Sequence, residues 1–372
     1  MLSPSCLKPE WIRARAAHLK PVDPLLLEKC IHALALLGHL AESGLDFLFK
    51  GGSSMLLLLD PVRRISTDID IICAAAPREL DHLLAGISRL PPFTGMKEQD
   101  RGFRGLPRRR HFQFFYPTMD TQAKFGGHVL LDVVEEKRCP HVTQRRVICA
   151  PFVEVEREVR VTMPTIESLL GDKLTAFAPT TVGVPLHPDD GRLADLMQIG
   201  KQFFDVGELF NAATDFQVVR KVYDGVFALE AEYRNHRFDR EAALRDTLGA
   251  CLGIAMEGLK GNKPSADTQA LRNGWRRVSS HLIQHRFGLD EARVASGKSA
   301  LLATAILANA NPLDLIQLRY VESRETLARL AGRSIAKPDW RGLNKIKATN
   351  AAAFHYWHAA DELARIQAGG QS

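Results

Sequence analysis

The sequence predicts an α+β fold: a mixed sheet flanked by helices, followed by an α-helical bundle. Three observations carry that expectation. Short β-prone runs alternate with helical stretches up to about residue 162, the pattern of a sheet layered with helices. The β signals fade after Pro164. Beyond that point apolar residues recur at helical spacing. The expected domains are therefore 1–162, a sheet-bearing core with N-terminal helices, and 163–372, a helical domain, in keeping with about 150 residues per domain.

Taken in order, residues 24–44 place Leu26, Cys30, Ala33, Leu37 and Leu40 on one stripe of an amphipathic helix. Strands are expected at 46–50, 69–74, 111–116 and 128–134. A fifth is expected at 152–161, where FVEVEREVRV alternates with period two. Helical stretches intervene at 53–59 and 77–90. Thr165, Glu167 and Ser168 resemble a helix start leading into ESLLGDKLTAFA. Val218, Val222, Val226 and Leu229 continue the helical stripe, as do Leu244, Leu248, Leu252 and Ala255. Breaks at Gly261–Pro264, Phe287–Leu289, Asn311–Pro312 and Lys337–Pro338 imply five or six helices.

Composition narrows the class. Apolar residues make up 45% of the 372 and charged residues 25%, ordinary values for a globular chain. The net charge of +6 leans toward phosphate-rich partners without saying where the charge sits. Cys6, Cys30, Cys73, Cys139, Cys149 and Cys251 show no CxxC spacing and no zinc-like His–Cys cluster, so a reduced chain is expected. The start lacks the apolar core of a signal peptide, and the longest plain apolar run, Met55–Leu59, is too short to span a bilayer. A cytoplasmic protein without a membrane partner is expected.

The chemistry concentrates in KGGSSMLLLLDPVRRISTDIDI, residues 50–71. An apolar strand runs into Lys50, Gly51 and Gly52, then Ser53, Ser54 and a short helix. Glycines let a ligand approach the backbone, either serine can cap the helix, and a helix start suits a triphosphate. A Gly-Gly pair alone reads first as a tight turn between strand and helix. The decisive addition is Asp68-Ile69-Asp70-Ile71. Residues two apart on a strand face one side, so both carboxylates project together. Two carboxylates this close repel unless a cation joins them, and hard oxygen donors favour Mg²⁺ or Mn²⁺.

These residues resemble the polymerase-β nucleotidyltransferase superfamily, marked by a Gly-Gly or Gly-Ser turn, a helix and Asp-x-Asp on the next strand. Lys50-Gly51-Gly52-Ser53-Ser54 followed by Arg64-Ile65-Ser66-Thr67-Asp68-Ile69-Asp70 is similar to the AbiEii/AbiGii toxins of type IV abortive-infection (toxin–antitoxin) systems. The gap between Gly52 and Asp68 is long for the superfamily, with Pro61 making room for an extra turn. The superfamily's third carboxylate matches Asp132 in HVLLDVVEE, with Glu135 as the alternative. The family's Lys-Leu…Thr motif matches Lys173-Leu174 with Thr180 or Thr181. Its R-x-K-D-x-x-D motif matches in part: Lys201 and Asp205 fit, while Ile199 and Gln202 replace the Arg and the first Asp. The resemblance covers roughly residues 46–210.

The resemblance implies a polymerase-β-like nucleotidyltransferase with a nucleoside triphosphate (NTP) as substrate. Asp68, Asp70 and Asp132 would hold Mg²⁺ (or Mn²⁺), and Asp132 would accept the proton of the acceptor hydroxyl. Lys50, Gly51, Gly52, Ser53, Ser54, Arg64 and Lys201 would bind nucleotide. Lys173 would neutralise the departing pyrophosphate, and Asp205 would orient the nucleotide or a neighbouring lysine. The helical domain would thus contribute Lys173 and Asp205. It also implies an RNA acceptor, a tRNA 3′ end above all, and a neighbouring-gene antitoxin that represses transcription without a stable complex. RGFRGLPRRRHFQFFY supports RNA independently. Arg101, Arg104, Arg108, Arg109 and Arg110 form an acid-free basic loop, with Phe103 and His111 as stacking surfaces. The rival readings are a small-molecule or protein side-chain acceptor, and a non-catalytic nucleotide-binding interaction protein.

Overall fold

The computed structural model describes residues 1–19, 22–100, 106–124, 126–189, 191–310 and 314–369. The chain divides into two compact units. The first comprises Met1–Thr165 together with Ser280–His285; the second comprises Ile166–Ser279 and the chain from Arg286 onward.

In the first unit, helices α1 (Pro9–His18) and α2 (Pro24–Glu42) precede β1 (Phe47–Lys50), the single-turn α3 (Met55–Leu58) and β2 (Asp68–Cys73). Then come α4 (Pro77–Ile87), β3 (Gly95–Gln99), β4 (Arg108–Tyr116) and β5 (Gly127–Glu135), and a separate pair, β6 (Thr143–Val147) with β7 (Arg160–Pro164). The main sheet has the order β1-β2-β5-β4-β3. Only β2 and β5 run parallel; the other neighbours are antiparallel.

Helix α2 supplies the core of this unit. Asp23 caps it by accepting from the Leu25 amide at 2.9 Å, and Pro24 opens the first turn. Leu27, Ile31 and Leu34 are fully buried in one cluster with Ile69 and Ile71 of β2, Leu131 and Val133 of β5, and Phe112 and Phe114 of β4. Each such aliphatic side chain contributes about 1.5–3 kcal/mol by leaving water. By length and composition α2 could also cross a membrane, but 67% of its apolar window is buried within the protein. It is a mostly apolar stretch, longer than the five-residue run 55–59.

The strands of this unit depart from expectation in two ways. The alternating run 152–161 is strand only from Arg160. Before it, Val155 bridges Leu2 and Glu154 accepts from the Ser3 amide at 2.8 Å, so the N-terminus uses the backbone of this stretch locally. Strands β3 (GMKEQ) and β6 (TQRRV) were not anticipated, because both are largely polar and half-buried or exposed.

The second unit is helical: α5 (Ile166–Ala176), α6 (Leu196–Ala212), α7 (Phe216–Tyr233), α8 (Arg240–Ala255), α9 (Ala266–Arg277), α10 (Leu289–Leu307), α11 (Arg324–Ala331) and α12 (Ala351–Gly369). That is eight α-helices among the described residues, not five or six. Asp195, Asp215 and Asp239 cap α6, α7 and α8, starting separate helices where apolar periodicity suggested fewer breaks. The expected breaks at 261–264, 287–289 and 337–338 fall in linkers or at helix starts; Asn311–Pro312 lies outside the described residues. The six residues that rejoin the first unit do so by backbone pairing. Ile65 donates to the His281 carbonyl (2.7 Å), Ile283 to that of Arg63 (2.8 Å), and Arg64 bridges Leu282.

Candidate active site

The burial of β2 alternates along its length, with Ile69, Ile71 and Cys73 buried and Asp68, Asp70 and Ile72 half-buried. The apolar set anchors the strand on the core, which fixes the carboxylates on the opposite face. Register then extends a polar row across all five strands: Lys50 on β1 pairs with Asp70 on β2, Asp70 with Asp132 on β5, Asp132 with His111 on β4, and His111 with Gln99 on β3. Asp68 lies two residues before Asp70 on the same face, opposite Leu130. Glu135 instead faces Cys73 and takes Arg108 at 3.5 Å.

The glycine turn is shaped around these residues. Gly51 has φ +79°, and a Cβ there would lie 1.9 Å from Asp70 Oδ2. A Cβ on Gly52 would lie 2.5 Å from an Arg64 guanidinium nitrogen and 2.9 Å from Ser66 Oγ. Only glycine lets the Asp70 carboxylate and the buried Arg64 guanidinium approach this backbone so closely. Both serines are buried. Ser53 donates its hydroxyl to the Asp68 carbonyl, and Ser54 donates to the Gly51 carbonyl at 2.7 Å. Their hydroxyls brace the turn against β2 and against itself, and Ser54 caps α3 without a side-chain bond.

The carboxylates have identifiable charge partners. Lys29 Nζ lies 3.7 Å from Asp68 Oδ1, and the Thr67 hydroxyl donates to the same oxygen at 3.3 Å. His111 Nδ1 lies 2.7 Å from Asp132 Oδ1. Nearby, burial and then Lys29 push the His128 pKa down. The exposed Cys139 thiol is pulled below its ordinary value by a hydrogen bond with His141, with Lys50 adding to the effect.

Asp68, Asp70 and Asp132 offer hard carboxylate oxygens, the donors that Mg²⁺ and Mn²⁺ take. Their shared face and the glycine cradle against Asp70 fit such a cation. Among the described residues, no three His, Cys, Asp or Glu side chains are grouped closely enough to hold a metal ion as they stand. Asp68 Oδ1 faces Lys29 and Thr67, and Asp132 Oδ1 faces His111, so each contact engages one oxygen of its carboxylate.

In the helical unit, Lys173 on α5 and Asp205 on α6 form a buried ion pair of 3.0 Å, 6% and 0% exposed. Lys173 also donates to Gln202 Oε1 at 2.8 Å. Gln202, which replaces an Asp of the family motif, therefore keeps an acceptor for this ammonium and drops the charge. Lys201 is half-buried on α6, and Ile199 is buried. Thr180 and Thr181 both donate to Asp246 on α8, at 2.7 and 2.8 Å. Asp246 was not singled out in the sequence, since it lies some 65 residues from its partners.

The basic segment departs from a simple loop. Arg108, Arg109 and Arg110 open β4; Arg101, Arg104 and Phe103 lie outside the described residues. Arg108 and Arg109 are exposed. Arg110 is 13% exposed, held by Glu98 (2.8 Å) and Asp81 (2.6 Å) and lying over Phe112. Glu98, and then Asp81, raise its pKa further. His111, expected as a stacking surface, spends its Nδ1 on Asp132. No local signal reveals that bond, because it depends on the β4–β5 register.

The family model described as "Nucleotidyl transferase AbiEii toxin, Type IV TA system" matches residues 35–292, more than half of the chain. Among solved structures, MenT4, a nucleotidyltransferase toxin from Mycobacterium tuberculosis H37Rv, is 14% identical over 80% of this chain and 99% of its own, with a TM-score of 0.44. JHP933 from Helicobacter pylori is 13% identical over 83% of this chain and 97% of its own, with a TM-score of 0.40. No match to a curated protein was found.

Proposed function

Because this chain belongs to the AbiEii nucleotidyltransferase toxin family of type IV toxin–antitoxin systems, we propose that it transfers nucleotides from an NTP to an RNA acceptor, a tRNA 3′ end in particular, in a magnesium-dependent reaction. The observation that carries this reading is the pairing of Asp70 with Asp132 on parallel strands, with Asp68 on the same face. A bound Mg²⁺ or Mn²⁺, held by these three carboxylates, supplies charge neutralisation at the triphosphate and a more acidic acceptor hydroxyl.

The chain's own groups divide the remaining work. Asp132 accepts the proton of the attacking hydroxyl, and His111 holds its Oδ1 in place. Gly51 and Gly52 let phosphates approach the backbone, with Lys50 and Arg64 adding positive charge. Since the Ser53 and Ser54 hydroxyls are engaged by backbone carbonyls, these serines contribute through main-chain amides. Lys173 neutralises phosphate charge, Asp205 orients Lys173, and Lys201 adds a nucleotide contact. In this proposal residues 1–162 form the nucleotidyltransferase core, and 163–372 supply Lys173 and Asp205. Arg108 and Arg109, with Arg101 and Arg104, meet the RNA backbone, whereas Arg110 is committed to Glu98 and Asp81. The family implies an antitoxin partner; we propose that it represses transcription without binding the toxin stably, and that the toxin acts in the cytoplasm.

The test supplies α-labelled NTPs with purified tRNA, total RNA and a small-molecule extract. Label on tRNA that disappears with EDTA supports the reading. Label found only on a small molecule or a protein rejects the RNA acceptor. If RNA is the acceptor, its affinity falls steeply with salt, and Arg108→Ala/Arg109→Ala flattens that slope while leaving the NTP KM nearly unchanged.

A further inference from the structure

The helical unit contains a cavity of about 690 Å³ walled by α8, α10, α12 and the 3₁₀ turn Pro338–Ile346. Nothing in the transfer reaction proposed above uses it. Four cations line it, Arg240, Arg245, Lys337 and Arg365, against one acid, Glu241, while Leu248, Leu307 and Trp340 give it an apolar side. The volume lies within the roughly 300–1,000 Å³ range of small-molecule sites.

Three contacts hold Arg240, Lys337 and Arg365 in place. Asp361, fully buried, accepts from the Ala336 and Lys337 amides (3.1 and 2.8 Å) and pairs with Arg365 at 3.1 Å. One carboxylate thus fixes both the loop that carries Lys337 and a guanidinium. Asp224 braces Arg240 at 2.7 Å, and the Lys337 ammonium lies 4.1 Å from the centre of the Trp340 ring. The Arg245–Glu241 pair, more than half exposed on both sides, is a surface contact that an incoming anion can replace.

The independent observation is Thr304 on α10. It lines the cavity, is 3% exposed, and its Oγ1 is buried with no hydrogen-bond partner. A helical threonine ordinarily satisfies its hydroxyl on the carbonyl four residues back, and buried polar atoms are seldom left unpaired. We infer that this cavity binds an organic phosphate of about mononucleotide size. The cations take the phosphate, the apolar side takes the organic part, and the Thr304 hydroxyl gains its missing partner. The source is either a free nucleotide or one nucleotide unit of an RNA strand.

Binding is measured calorimetrically on the full chain in EDTA, in an Asp70→Asn background that weakens the candidate active site. The probes are AMP and a five-residue oligoribonucleotide. Saturable AMP binding identifies a free-nucleotide site; binding of the oligomer alone, with strong salt dependence, identifies a strand site. Arg245→Gln/Lys337→Gln is expected to lower affinity at least tenfold. Thr304→Val is expected to lower it while raising the apo melting temperature, because it removes an unpaired buried hydroxyl. Thr304→Ser, which keeps the hydroxyl, retains binding. No binding of either probe, or unchanged affinity in both Thr304→Val and Arg245→Gln/Lys337→Gln, overturns the inference. The outcome is independent of the transfer assay in Asp70-intact protein.

Discussion

His111 Nδ1 lies 2.7 Å from Asp132 Oδ1, and the two residues are register partners on β4 and β5. This bond ties one carboxylate of the polar row to a strand that carries none of the other carboxylates. An outer-shell hydrogen bond of this kind fixes a ligand's orientation, and its loss typically costs 10–100-fold in metal affinity or activity. His111→Ala is therefore expected to weaken Mn²⁺ binding by roughly that factor. The loss should be read both in the metal dependence of transfer and in the Mn²⁺-induced shift of melting temperature. His111→Asn, which can place an amide N–H near the Nδ1 position, should recover part of it. Wild-type metal dependence in His111→Ala would reduce the bond to a structural contact.

The glycine turn and Asp70 form one mechanical unit, which gives a second prediction. Gly51→Ala places a methyl where Asp70 Oδ2 now lies, at a φ of +79°, and left-handed backbone already costs an L-residue roughly 1–2 kcal/mol. The variant should lose both stability and transfer. Asp70→Asn should separate the two. Transfer should fall by more than the ~10–100-fold expected for an outer-shell partner, while apo stability holds or rises because repulsion from Asp68 and Asp132 is relieved. The metal-induced rise in melting temperature, which follows from ligand linkage, should disappear. A metal response equal to wild type in Asp70→Asn would remove this residue from the site.

Lys173 and Asp205 combine a motif with a buried ion pair, and a double variant resolves their roles. Lys173→Ala leaves Asp205 buried without its 3.0 Å partner, a change that typically costs 3–5 kcal/mol. Loss of transfer in that variant alone is therefore ambiguous. Lys173→Met/Asp205→Leu removes both charges, and such replacements are often neutral or stabilising. If Lys173 neutralises phosphate, the double variant regains its melting temperature but not its transfer. Recovery of both would make the pair purely structural.

What could be read from the sequence depended on range. Asp68 and Asp70 were legible because strand alternation is local, and β2 obeys it residue by residue. The Lys50-Gly51-Gly52 turn was legible for the same reason. The helix at 24–44 was legible from its apolar stripe, and Pro24–Glu42 realises it. Three features were not legible. His111 and Gln99 join the row only through pairing of β4 with β5 and with β3. Thr180 and Thr181 bond a carboxylate on another helix. Arg110 looked free in a basic run because Glu98 and Asp81, which hold it, come from β3 and α4.

The core itself should be sensitive to acid through His32. This residue lies on α2, is 2% exposed, stacks on Tyr116 at 3.7 Å, and places its Nδ1 2.8 Å from the Glu28 carbonyl oxygen. Burial pushes its pKa from 6.5 down to about 4, outweighing the backbone bond that opposes the shift. Between those values the unfolded chain takes up a proton that the folded chain refuses. Stability attributable to His32 is therefore full above pH 6.5, falls as the pH drops toward about 4, and is level below that. The loss amounts to about 3 kcal/mol across the window. His32→Phe keeps an aromatic face for Tyr116 and cannot be protonated. Urea unfolding from pH 7.5 to pH 4 should show the wild type losing more stability than the variant, by roughly that amount. Parallel curves for the two proteins would mean that His32 is protonated in place without cost, contrary to its burial.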